Sequence, residues 1–422
     1  MKNIHALTLA PLALCMAAPA IAQTVRQEVK PPEAQAWIDV ATISGMGPQQ
    51  MGGPGGPGAS PMGALGSLFG GSGQSASKVS FLMTQTGAGG RYVDVTLRTR
   101  RNPQLADATQ EVPPAFLTPA LKLIAPRDAP VPPGETDETP HERPKLEGKI
   151  SLYWGCGDTI RPGQPRVIDL ATATPADLAQ VFQARTATQR GVHSAQGRPH
   201  WPNPTDGRGL SNSASLVGAH QFTGNGVPEG FRFNIPAAQD LMPPMQLQQA
   251  DQGGATALSW AAQPNARAVF VAGMAPRGRN EIVIWSSSEV PDMGMGLLDY
   301  QTNAAVDRWL KEKVLLAPST TQCTVPKGVF PGEGAMLRVI AYGNELNVVH
   351  PPRPTDPKVP WEQVWAAKVR VKSVGLTMLG MPSMERAPSG QREAARESEP
   401  ADQAAKEKKP SALDLLRGAI GK

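Results

Sequence analysis

The chain has 422 residues, comfortable for two domains with tails. Apolar residues make up 40% and aromatics 5%, while glycine and proline number 43 each, about a fifth of the chain against a usual share of roughly 12%. That composition argues against a helical bundle and a compact α/β enzyme. A net charge of +5 is too weak to mark a nucleic-acid binder, and no apolar run beyond residue 22 approaches the ~20 residues that span a bilayer.

Residues 1–22 read as a secretory signal. Lys2 supplies the positive start, residues 4–16 are apolar, and Ala20-Ile21-Ala22 fits the small-x-small rule for cleavage before Gln23. Pro11 and Pro19 argue against a buried helix there. The expected location is periplasmic or secreted, of the Gram-negative type. Cys15 raises a lipoprotein alternative, although Leu14 stands where a lipobox has a small residue. Cleavage leaves Cys156 and Cys323, and an even pair in an oxidising compartment most simply forms one disulfide. A competing reading makes Cys156, in Trp154-Gly155-Cys156-Gly157, a catalytic thiolate, though no histidine lies near it in sequence.

In chain order, residues 34–43 predict a first strand, with Trp37, Asp39, Ala41 and Ile43 on one face and Ile38, Val40 and Thr42 on the other. Residues 45–77 are a long Gly/Pro-rich loop, a disordered insertion with almost no charge. Its Met46, Met51 and Met62 are irregularly spaced and lack a histidine, so soft-metal capture is not expected. Strands are expected at 78–85 and 92–100, joined by Thr86-Gly87-Ala88-Gly89-Gly90. In the second, Val93, Val95 and Leu97 alternate with Asp94, Thr96 and Arg98, as in a half-solvated strand. Residues 113–144 are proline-rich, with one strand at 121–124; 149–154 and 166–170 predict two more.

Residues 34–172 thus predict an N-terminal β domain. A connector follows over 173–239. It opens with the one short internal helix, 175–189, capped by Thr174 with Pro175 in its first turn. Strands are expected at 216–222 and 231–235. The end of the chain, 385–422, predicts a disordered tail with a short terminal helix carrying Leu413, Leu416 and Ile420 on one stripe.

Residues 240–380 show several period-two stretches, interrupted by one helical turn at 303–311. Over 242–378, Leu258-Ser259-Trp260 followed by Pro264-Asn265-Ala266-Arg267-Ala268-Val269 resembles the B and C strands of fibronectin type III domains. Leu337-Arg338-Val339-Ile340-Ala341-Tyr342 resembles their F strand. Val269 stands where a tyrosine is usual early in strand C, and Ala335 falls at the tyrosine-corner position. The resemblance implies a β-sandwich with a binding or spacer role. The remainder resembles, in texture, uncharacterised exported proteins of proteobacteria.

No dinucleotide fingerprint, phosphate-binding loop, zinc-protease helix motif or nucleophile elbow occurs. Ser75-Ala76-Ser77-Lys78 spells Ser-x-x-Lys inside the loop, with no Lys-Thr-Gly after it. His193 and His200 flank one loop, but no nearby cysteine or acid completes a metal set. No catalytic residue, metal or cofactor is therefore assigned. Trp201 and Trp361, each beside a proline in a loop, are ligand-stacking candidates, with plain packing as the other reading. Lys368, Arg370 and Lys372 predict the solvated face of an edge strand, where lysines block strand addition; gripping lipopolysaccharide phosphates or peptidoglycan acids is the alternative.

The expected molecule is mostly β, with two β-sandwich-like domains pinned by Cys156–Cys323. The expected function is a non-catalytic binding or structural module of the cell envelope, with a protein or glycan partner. The alternatives are a hydrolase of envelope polymers, using polar groups near Trp201 or Cys156, and an outer-membrane lipoprotein.

Overall fold

Segments that alternate or run apolar become strands, and the computed structural model describes residues 27–45, 82–86, 89–118, 120–127, 148–174, 185, 193–278, 280–294, 296–330, 332 and 334–380. The expected signal, nearly all of the 45–77 insertion, the 175–189 helix apart from Arg185, and the tail lie outside the described residues.

The first half holds β1 (Val29–Lys30), β2 (Ala34–Gly45), the helical turn α1 (Met83–Thr86), β3 (Gly90–Thr99), β4 (Asp107–Glu111), β5 (Leu121–Ile124), β6 (Lys149–Trp154) and β7 (Arg166–Asp169). Then come β8 (His200–Trp201), β9 (Gly218–Thr223), β10 (Arg232–Ile235), β11 (Gln248–Gln252), β12 (Ala255–Ser259), β13 (Ala266–Arg277) and β14 (Glu281–Ser286). Helix α2 (Asn303–Lys311) precedes β15 (Gln322–Val325), β16 (Met336–Gly343), β17 (Leu346–His350), β18 (Trp361–Glu362) and β19 (Trp365–Met378). The protein is mostly β. Thr302 caps α2 by accepting from the Ala305 N–H, and Val306 and Trp309 face the core. The strand expected at 78–85 is not what residues 83–86 form. Thr84 gives its N–H and hydroxyl to the Asp94 carboxylate, 3.1 and 2.7 Å away, which holds α1 against β3 instead of in a ladder.

One large sheet runs in the order β10-β9-β4-β5-β8-β3-β2-β19-β16-β13-β14-β6-β7, with β17 also on β19, and a three-stranded sheet runs β11-β12-β15. The division into separate sandwiches over 34–172 and 240–380 does not hold. β2 lies parallel to β19 from Ala34↔Trp365 to Gly45↔Leu376, and β6 lies parallel to β14. The free edges of the later strands are thus filled by earlier ones, and both segments share one ladder. Sequence periodicity gives each strand a face but not a neighbour.

Both faces of the large sheet are covered, so its central strands are buried on both sides. On one face Ile38, Val40, Val95, Val269, Val271, Leu337, Val339, Val369 and Val371 form the main core with Leu258, Trp260 and Trp285. Residues 242–245 cross this face, fastened by Thr42 and Ser373 hydroxyls donating to the Met242 and Pro243 carbonyls, both at 2.7 Å. Gly375 has no room for a side chain, since a Cβ there would come 2.4 Å from the Met245 oxygen. On the opposite face Ala41, Ile43, Phe270, Ile340, Val374 and Leu376 pack under Val306 and Trp309 of α2.

Cys156, just after β6, is bonded to Cys323 in β15. The Gly157 N–H donates to the Thr324 carbonyl at 3.0 Å beside it. The bond therefore joins the edge region of the large sheet to the small one.

Candidate functional site

Parity and register place charged side chains on the α2 side of β3, β2 and β19. Asp94, Asp39 and Arg370 lie in one cross-strand row, and Thr96, Trp37 and Lys368 in the next. Arg370 Nε and Nη2 donate to the Asp39 carboxylate oxygens at 2.7 and 2.6 Å, a bidentate fork. Lys372 Nζ donates to the Leu298 carbonyl at 3.1 Å, and Lys368 Nζ to Glu345 Oε2 at 2.9 Å. The Tyr300 ring closes over the cluster, its centroid 4.8 Å from the Arg370 guanidinium and 4.3 Å from Lys372 Nζ.

The expectation of a solvated edge is corrected here. β19 is central, with β2 on one side and β16 and β17 on the other, and Arg370 and Lys372 are only 3% and 2% exposed. Alternation reports that the charges share a face, not that water covers it. Aliphatic stems, a facing carboxylate and an aromatic lid are what make the burial tolerable. Asp94 and Thr96 are buried too, so β3 is not half-solvated as its alternation suggested.

Burial sets the protonation of this cluster. It pushes the Asp94 carboxyl up to about 7 against the pull of the Thr84 donors, and the Lys372 amine down to about 8. Burial also raises Asp39, opposed by the Arg370 charge. Arg370 in turn is held above its ordinary value by Asp39 despite its own desolvation. We regard this pair as ionised, because the fork satisfies both groups.

Asp94 gives a pH prediction. In the folded chain it keeps its proton up to about 7, whereas the unfolded chain releases it near 3.8. The folded state binds the extra proton in that window, so this group's contribution to stability falls as pH rises through it, by on the order of 4 kcal/mol at most. Asp94→Asn, whose amide oxygen can still accept from Thr84, removes that fall. Urea midpoints across the window check it: the variant-minus-wild-type difference grows with pH, and a flat difference refutes the assignment.

Further along the same face, next to Trp37, lies a pocket of about 180 Å³ lined by Gln35, Trp37, Thr96, Leu97, Arg98, His193 and Arg198. The Leu97 N–H donates to the Pro199 carbonyl at 3.1 Å and fastens the 193–199 loop to β3. Arg98 Nη2 donates to Gln35 Oε1 at 2.9 Å. Arg198 Nη1 lies 3.2 Å from His193 Nδ1. Burial, and then the Arg98 charge, hold the Arg198 guanidinium below its ordinary value. Among the described lining residues there is no carboxylate or thiol. Those residues offer hydrogen-bond donors and positive charge.

The other sequence candidates lie elsewhere. Trp201 is 2% exposed, carried into the core because β8 pairs with β3 and β5; it packs edge-on against Phe116 at 6.4 Å. It has no face for a ligand. Trp361 is half-buried in β18, its Nε1 donating to the Pro351 carbonyl at 3.0 Å and Arg353 lying 5.6 Å from its ring centre. His193 and His200 turn to different partners, Arg198 and Ser194. Among the described residues no group of three His, Cys, Asp or Glu side chains gathers to hold a metal.

Arg98 and Arg198 were not singled out from the sequence. The available signal was parity, since Arg98 shares the Asp94 face and Trp37 shares the Asp39 face; Arg198 gave no signal of its own. In comparisons with known proteins, no family model, no curated protein and no solved structure matches the chain.

Proposed function

We propose that this is an exported, non-catalytic binding or structural module of the cell envelope, with an envelope protein or glycan as its partner. The carrying observation is the Cys156–Cys323 bond, which closes a 167-residue separation and suits a compartment that keeps thiols oxidised. Among the described residues no helix is long and apolar enough to cross a membrane. Residues 242–378 are read as fibronectin type III-like. Two strand sets support this: β11-β12-β15, and β14-β13-β16-β19, which correspond to the A-B-E and C′-C-F-G sheets of such domains. The hydrolase alternative named polar loop residues near Trp201 or Cys156; Cys156 is bonded to Cys323 and so supplies no free thiol.

The test begins with expression of the full chain in a Gram-negative host. The mature protein is expected in the periplasmic or secreted fraction, starting at Gln23 and without titratable thiols. A lipid-modified Cys15 supports the lipoprotein alternative instead. The purified protein is then mixed with isolated peptidoglycan sacculi and lipopolysaccharide. Release of soluble fragments makes it a hydrolase and ends the non-catalytic reading.

A further inference from the structure

We infer that α1 is a proton-dependent latch: it grips the sheet while the Asp94 carboxyl carries a proton and loosens when that proton leaves, whatever partner the protein binds. The grip is local. Thr84 gives both its N–H and its hydroxyl to one Asp94 oxygen, and Thr84 and Asp94 are 2% and 0% exposed. The other oxygen, Oδ1, is buried without a hydrogen-bond partner. A neutral carboxyl tolerates that position, whereas a carboxylate there lacks the solvation its charge requires.

The surroundings supply Asp94 with no counter-charge of its own. Asp39 stands directly across the ladder on β2, and like charges so opposed are unfavourable. Arg370, in the same row on β19, commits its fork to Asp39. Lys372 turns to the Leu298 carbonyl and Lys368 to Glu345. From the loop above come Asp299, a second carboxylate, and Tyr300, a phenol that burial keeps protonated. Tyr92 and Thr96 flank Asp94 on β3, and His200 on β8, opposite Thr96, is held below its ordinary value by burial. An ionised Asp94 therefore needs water, and displacing Thr84 admits it. The backbone entering α1 adds to the bias, since Leu82 has φ +72°, in the left-handed region that is costly for a residue with a side chain. Opening releases a proton, so acid closes the latch and rising pH loosens it.

Amide hydrogen exchange of the full chain tests this, because the Thr84 N–H is itself one of the bonds to Asp94. Rates are taken from about pH 4 to pH 8 and corrected for the intrinsic pH dependence of exchange. The Thr84 amide should open far more often than the central amides of β19 at every pH. Its opening constant should rise by up to about a thousandfold between the free carboxyl value of 3.8 and the buried one of about 7, then level off. Asp94→Asn should keep the excess over β19 and lose the rise. Thr84→Val, which removes the hydroxyl donor, should loosen α1 most where Asp94 is ionised. Equal opening at Thr84 and in β19 would mean that α1 leaves only with the whole fold, and overturns the latch. So does a wild-type opening constant that is flat with pH, or an equal rise in a folded Asp94→Asn. The wild-type measurements decide on their own if a variant fails to fold.

Discussion

Arg370→Met should destabilise the protein by about 3–5 kcal/mol, the usual penalty for stranding one partner of a buried ion pair. The substitution keeps the aliphatic stem and removes the fork that satisfies both oxygens of Asp39, a carboxylate 2% exposed. The penalty belongs to the ionised Asp39, so it should shrink at low pH, where the stranded carboxyl takes up a proton. Pairing the change with Asp39→Leu should recover most of the loss, because two apolar side chains of similar size leave no charge without a partner. Urea unfolding of both singles and the double gives the coupling directly. A single-variant loss under about 1 kcal/mol would show that the pair is not desolvated as its burial indicates.

The second large effect concerns the disulfide. Joining residues 167 apart removes chain entropy from the unfolded state worth about 5 kcal/mol, and measured losses run about 2–5 kcal/mol. Cys156→Ala/Cys323→Ala, or reduction of the wild type, should lower stability within that range. The loss should also be uneven. Cys323 sits in β15, an edge strand of the small sheet that pairs with the central β12. Amide exchange should therefore accelerate in β11, β12 and β15 before it does in β2, β3 or β19. Uniform acceleration would mean that the bond acts only on the unfolded chain.

Strand positions were largely legible in the sequence, because alternation of Val, Ile and Leu marks a strand wherever its partners lie. Residues 121–124 and 149–154 coincide with β5 and β6, and the expected turn at 303–311 is α2. The strands at 107–111, 248–252, 322–325 and 346–350 were missed. Segments such as Asp107-Ala108-Thr109-Gln110-Glu111 and Gln248-Gln249-Ala250-Asp251-Gln252 carry too few apolar residues to show a face. The candidate site was legible only in fragments. Asp39, Asp94 and Arg370 each stood out as charges on alternating strands, but their meeting depends on a pairing across 331 residues. Local pattern carries no information at that range. For Trp201 the sequence left stacking and plain packing open, and its burial agrees with packing; a tryptophan between proline-rich loops gives no sign of the two-residue strand that carries it inward.

That long-range pairing also bears on assembly. The seam at the middle of the large sheet joins β2 to β19, so it cannot zip until more than three hundred intervening residues are available. Contacts so distant along the chain favour slow folding. A polypeptide whose central ladder depends on its late strands keeps that ladder open for as long as those strands are missing.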